Sequence, residues 1–368
     1  MRAVVLAILL SAGSASAQQQ DADQILKAAI DAQQHGDYDA AIRDYRRVLE
    51  LRPNTFEAKV NLGAALVHQG QFDAAIDQYK SALASSPQNR AVLLNLALAY
   101  YKKGDFKAAR EQFANLEKLQ PNDVRTAILL GDTDLRMGEF NAAVELLTPR
   151  EAANAANLDL EYVLGSALIK TGRRREGVER VEKVATGGNS ADAFLLAGVT
   201  LLEMDEYERA RRDLDAALNL DPKLPGIYTL AGTARDKTGD AAAAEPAFRK
   251  ALEVNPNDFD ANLYLGAILY KRRQMDEAKT YLERALGLKP ESSMARYEYA
   301  MYKSKSGDYQ GAAQDLEKLV RDDPKWLEPH VELASLYYRL HRPEDGAKER
   351  HVVDQITAEQ QAQGPGKR

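Results

Sequence analysis

Few side chains in this sequence are placed for chemistry. It has no cysteine, which removes disulfides, thiol nucleophiles and thiolate metal sites together. The five histidines are His35, His68, His330, His341 and His351. None forms the i, i+4 pair with an intervening Glu that sets two imidazoles and a general base on one helical face for zinc hydrolysis. His341 and His351 lie in a polar C-terminal segment, where solvated surface histidines are expected. No glycine-rich loop is placed to cradle a phosphate. The pattern points away from an enzyme, and neither a metal nor a cofactor is expected.

Charge narrows the partners. The formal net charge is -6, with Lys and Arg interspersed among Asp and Glu. A protein that neutralises phosphates needs a basic stripe, so nucleic acid is not the expected partner. Length narrows the architecture. A single compact core stops growing at about 250–300 residues, so a chain this long should split into domains or become a solenoid.

The elements that position these side chains repeat. Pro53, Pro87 and Pro121 stand 34 residues apart, and Gly36, Gly70, Gly104 and Gly138 keep the same spacing upstream of them. A second series, Pro222, Pro256, Pro290 and Pro324, resumes the period. Ahead of each turn glycine, as in Ala91 to Lys103, apolar residues recur at helical spacing. Glycine then ends that helix at low cost, because a left-handed residue is cheapest without a Cβ. An aromatic follows two residues later, a second helix runs on, and proline stops it. Two helices of this size cannot bury their apolar faces alone, so they must stack on their neighbours.

A unit with a small residue at position 8, Gly at 15, an aromatic at 17, Ala at 20, an aromatic or Leu at 24 and Pro at 32 resembles the tetratricopeptide repeat. Position 8 reads Gly63, Ala97, Gly131, Gly165, Gly198, Gly232, Gly266, Ala300 and Ala334. Position 20 reads Ala41, Ala75, Ala109, Ala143, Ala210, Ala244, Ala278 and Ala312. The resemblance covers residues 22–356 in about ten helix-turn-helix units. It implies an all-α fold, a right-handed superhelical solenoid.

Departures from the pattern divide the array. Pro149 arrives early, so the second helix of the fourth unit is expected to stop near Leu147. The fifth unit has Gly177 in place of Ala, Arg174 in place of an aromatic, and Gly187-Gly188 in place of the closing proline. Two blocks, residues 22–147 and 191–356, are therefore expected on either side of degenerate units at 148–190. Glu344 to Gln363 is long and polar, as a terminal cap needs to be, and residues 357–368 read as a polar tail.

The resemblance also implies that the first helices line a concave groove, with positions 2, 5, 9, 12 and 13 facing it. Mapped here, these positions offer Val60, Val67, Leu94, Leu98, Tyr101, Ile128 and Tyr162 in the first half. In the second half they offer Leu195, Leu202, Leu263, Tyr270, Tyr297, Met301 and Tyr338. A contiguous apolar strip on a surface marks a binding site, here for an extended peptide or an amphipathic helix. Lys102, Arg136, Lys170, Lys237, Lys271, Lys305 and Arg339 recur at position 13, as a basic rail or as ordinary charge at helix C-termini. Asp132, Asp134 and Asp236 fall near the groove as isolated carboxylates.

The N-terminus differs in character. Arg2, the apolar run Ala3 to Leu10 and the Ala15-Ser16-Ala17 triplet match a cleavable export signal over residues 1–17. Eight apolar residues fall short of the roughly 20 needed to span a bilayer, and no cysteine follows for lipidation. A periplasmic or secreted protein is expected. Its function is expected to be that of a protein-binding scaffold, or alternatively of a self-associating structural subunit in an envelope assembly.

Overall fold

Helix boundaries in this chain are set by short-range chemistry that recurs from unit to unit. The computed structural model describes residues 20–362, so the expected signal at 1–17 and the end of the tail lie outside the described residues. First helices open on side-chain caps: Asn89, Asn157, Ser190, Asp258 and Ser292 each accept from a backbone N–H three residues on. Second helices open the same way on Asp37, Asp105, Asp240 and Asp308. Residues that precede a closing proline, such as Gln120, Asp221 and Asn255, sit in extended backbone at φ of -142, -141 and -135 degrees, as a following pyrrolidine ring demands.

The described chain is a succession of helices. The first, α1, runs through residues 20–34. The first unit continues with α2 (Tyr38–Leu51), α3 (Phe56–His68), α4 (Phe72–Leu83), α5 (Arg90–Lys103), α6 (Phe106–Leu119), α7 (Val124–Met137), α8 (Phe140–Glu151), α9 (Leu158–Lys170) and α10 (Arg174–Gly188). The second comprises α11 (Ala191–Glu203), α12 (Tyr207–Leu220), α13 (Ile227–Lys237), α14 (Ala241–Val254), α15 (Phe259–Lys271), α16 (Met275–Leu288), α17 (Ser293–Ser306), α18 (Tyr309–Asp322), α19 (Leu327–Arg339) and α20 (Pro343–Ala362). The chain divides into these two compact units at Gly187–Gly188, at the fifth unit's missing proline. No strand occurs among the described residues.

Within each unit the helices form an α-solenoid. Consecutive helices pack, and first helices also touch the next first helix: α3 meets α5 and α7 meets α9, then α11 meets α13, α13 meets α15 and α15 meets α17. The small residue at position 8 explains the close approach inside each hairpin. A Cβ on Gly63 would lie 2.6 Å from the Tyr79 ring, on Gly198 2.6 Å from Leu214, and on Gly266 2.6 Å from Leu282. Position 8 is thus the socket for position 24, and an alanine there forces the larger side chain to move.

Three local features depart from the expectations. Helix α8 does not stop near Leu147; it runs through Pro149 to Glu151 and ends in a 3-10 turn, Ala152–Asn154. Proline there removes one N–H in the last helical turn, and Arg150 ties that turn down by donating to the Leu146 and Pro121 carbonyls and to Glu117. The residues following α11, α15 and α19 are left-handed without being glycine: Asp205, Arg273 and His341 have φ of 58, 65 and 56 degrees. Part of the expected tail, residues 357–362, continues α20. Among the described residues no helix is long and apolar enough to cross a membrane.

Candidate partner-binding face

The candidate face is built from the first helices, which pack on neighbouring first helices in each unit, with α5 and α7 linked through Tyr101 and Asp132. In the first unit Val60, Val67, Leu94, Leu98, Tyr101, Ile128 and Tyr162 are all half-buried. Val60 and Val67 lean on the core around Leu62 and Leu66, Leu94, Leu98 and Tyr101 on the core around Phe113, and Ile128 on that around Leu164. Each keeps part of its apolar surface open while the rest is packed. That row joins consecutive first helices from α3 to α9.

The second unit places its residues unevenly. Leu195 and Leu202 are half-buried beside the core around Leu214 and Ile227, and Tyr297 is half-buried between two clusters. Tyr338 and its neighbour Val331 are exposed. Leu263, Tyr270 and Met301, in contrast, are buried, and their assignment to an open surface is corrected here. The cause is local: α15 is flanked by α13 and α17, and Met301 on α17 packs into the same core cluster as Leu263 and Tyr270. The Tyr270 hydroxyl is enclosed there and donates to Glu298 at 2.7 Å.

The isolated carboxylates are mostly engaged. Asp132 accepts from the Tyr101 hydroxyl and lies 3.9 Å from Arg136. Asp134 is buried and paired at 2.5 Å with Arg110; burial raises its pKa and the Arg110 guanidinium opposes that rise. Both act in packing. Around the second unit's tyrosines the field is acidic. Burial first, then Glu332, Glu298 and Glu328, raise the Tyr297 phenol, and burial with Asp260, Asp236 and Glu298 raises that of Tyr264. The position-13 cations Lys102, Arg136, Lys170, Lys237, Lys271, Lys305 and Arg339 are exposed at the ends of their helices, where they complement the helix dipole.

One recurring apolar position was not anticipated. Leu119, Leu220, Val254 and Leu288 end α6, α12, α14 and α16 and are exposed, Val254 at 71%. All four occupy position 30 of their units, so the signal was present as an apolar residue just ahead of the C-cap. Beside Val254, the loop residues Leu224, Pro225 and Gly226 border a hollow of about 370 Å³.

Comparison with known proteins matches this architecture. A family profile described as tetratricopeptide repeat matches residues 26–90, 229–293 and 268–325, and two others of the same description match 66–133 and 191–224. Anaphase-promoting complex subunit 3 of Schizosaccharomyces pombe is 24% identical over 160 residues, 44% of this chain and 24% of that protein. The peroxisomal targeting signal receptor of Kluyveromyces lactis is 44% identical over 69 residues, 19% of this chain and 12% of that protein. The matches span about a quarter or less of the length of these curated relatives. A tetratricopeptide repeat protein from Parabacteroides merdae superposes with a TM-score of 0.53 at 16% identity, covering 73% of this chain and 99% of that one. That likeness concerns the fold alone.

Proposed function

The chain belongs to the tetratricopeptide-repeat family, and from that premise we propose that it is a non-catalytic scaffold that binds polypeptide segments of other proteins on the inner face of its first helices. The observation that carries this reading is the row of half-buried apolar side chains, Val60, Val67, Leu94, Leu98, Tyr101, Ile128 and Tyr162, on consecutive first helices of one unit. Packing fixes one flank of each side chain and leaves the other to water, which is the state of a surface prepared to exclude water with a partner. Leu195, Leu202 and Tyr297 extend the same property to the second unit. One relative is by name a receptor for a targeting signal and another a subunit of a complex, which supports the reading. An extended peptide or an amphipathic helix suits such a row. The N-terminal sequence supports a periplasmic or secreted site of action.

The test is a pair of inner-face variants of the full chain, Leu98→Gln with Leu202→Gln. The expected result is loss of partner capture with helicity and melting nearly unchanged. Capture that survives the double variant contradicts the reading. Self-association that disappears with the same variant favours the structural-subunit alternative instead.

A further inference from the structure

The same repeat positions are buried in one unit and open in another. In the eighth repeat, positions 5 and 12 are Leu263 and Tyr270, exposed by 2% and 3%. Helix α17 packs on α15 there and brings Glu298 to the Tyr270 hydroxyl at 2.7 Å. Helix α7 supplies the equivalent acceptor to Tyr101, through Asp132. A position-12 tyrosine thus twice donates to a carboxylate on the next first helix. In the tenth repeat the same positions are Val331 and Tyr338, exposed by 45% and 40%. With Ser335, Arg339, Arg350 and Val353 they line a hollow of about 440 Å³. No hydrogen bond engages the Tyr338 hydroxyl among the described residues; its ring lies under Arg350, 5.3 Å from the guanidinium. Neither Arg339 nor Arg350 has a carboxylate partner there.

We propose that this hollow, between α19 and α20, is a docking site for an amphipathic helix of another protein, one carrying a carboxylate that meets the Tyr338 hydroxyl beside Arg339 and Arg350. The inference rests on the scaffold reading and adds the kind of partner: α17 on α15 is its template, with an apolar stripe on Val331 and Val353 and an acidic residue over the tyrosine. Two guanidiniums without counter-charges select for a carboxylate at that position of the docking helix. They select against a second copy of this chain. At the places Glu298 and Asp132 occupy in their units, α1 carries Lys27 and Ile30, so α1 would set a cation against Arg339 and Arg350.

The probe is the template itself: a fluorescent peptide of the α17 sequence, Ser293–Ser306, stapled because a helix this short is marginal in water. It is titrated against the full chain by anisotropy. Saturable binding is expected, weakened about tenfold or more by Val331→Asp or by Tyr338→Ala, and severalfold when the peptide carries Glu298→Gln. Circular dichroism of both chain variants should match wild type. Absence of saturation up to about millimolar peptide, or binding indifferent to Val331→Asp, overturns the proposal. Sedimentation in which the wild type self-associates and Val331→Asp does not assigns the hollow to a second copy and overturns it too. A chain that captures polypeptides through Leu98 and Leu202 yet ignores the probe loses this inference and keeps the scaffold reading.

Discussion

Gly177 lies against Gly165: a Cβ built on Gly177 would stand 2.5 Å from the Gly165 carbonyl oxygen and 2.8 Å from the Ile169 nitrogen. Beside Ile169 Cγ1 at 2.7 Å, these two obstructing atoms are backbone, which cannot swing aside as a leucine tip does. Helices α9 and α10 therefore cross more closely than a position-20 alanine allows, and the apparent degeneracy of the fifth unit is a tighter packing solution. Gly177→Ala should destabilise by roughly 1–3 kcal/mol through overpacking. A chemical denaturation series against wild type checks it; an unchanged midpoint would mean the two helices have room.

Arg273 and His341 hold the left-handed turn position that glycine fills after α5, α7 and α17. A left-handed residue with a Cβ costs roughly 1–2 kcal/mol, part of which is offset because glycine orders a freer unfolded chain. Arg273→Gly and His341→Gly should each raise stability by a few tenths to about 1 kcal/mol, read as an upward shift in melting temperature.

Tyr79 sits in the Gly63 socket, buried, and burial pushes its phenol up to about 12. Between the unfolded value near 10 and that folded value, the unfolded chain releases a proton the folded chain keeps. Stability should therefore be intact below pH about 10 and fall as pH rises from there towards 12. Tyr79→Phe should change little at pH 7, and at pH 11 it should be the more stable chain by about 1–2 kcal/mol. Urea melts at the two pH values make the comparison, and equal losses in both chains would show that this phenol does not drive the alkaline transition.

Arg150 stands over the half-buried Glu117 at the last turn of α8. Burial raises the Glu117 pKa, with Arg150 opposing the rise. Arg150→Ala leaves that carboxylate without its cation and frees the turn that contains Pro149. Removing one partner of such a half-buried pair costs about 1–3 kcal/mol. Arg150→Ala combined with Glu117→Gln should recover a large part of the loss, as a double-mutant cycle would measure.

The repeat period, the turn glycines, the closing prolines and the small residue at position 8 were legible in the sequence because each is encoded within 34 residues. Gly63, Gly104 and Pro121 carry their roles in their own residue types. What was not legible depends on the next unit along. Leu263 and Val331 share position 5, yet one is covered by a following first helix and the other is open. No property of either residue says which. The same holds for Tyr270 and Tyr338. Pro149 misled for another reason: proline forbids one hydrogen bond, and in a last turn held by Arg150 the helix tolerates its loss.

The most direct measurement is site-specific photocrosslinking in the cells that make this protein. A photoreactive side chain goes in place of Leu98 or Leu202 on the inner rows, with Arg43 on the exposed face of α2 as control. The scaffold account predicts discrete crosslinked polypeptides from the two inner positions and none from Arg43. Equal crosslinking from all three positions, or none from the inner pair, would contradict it.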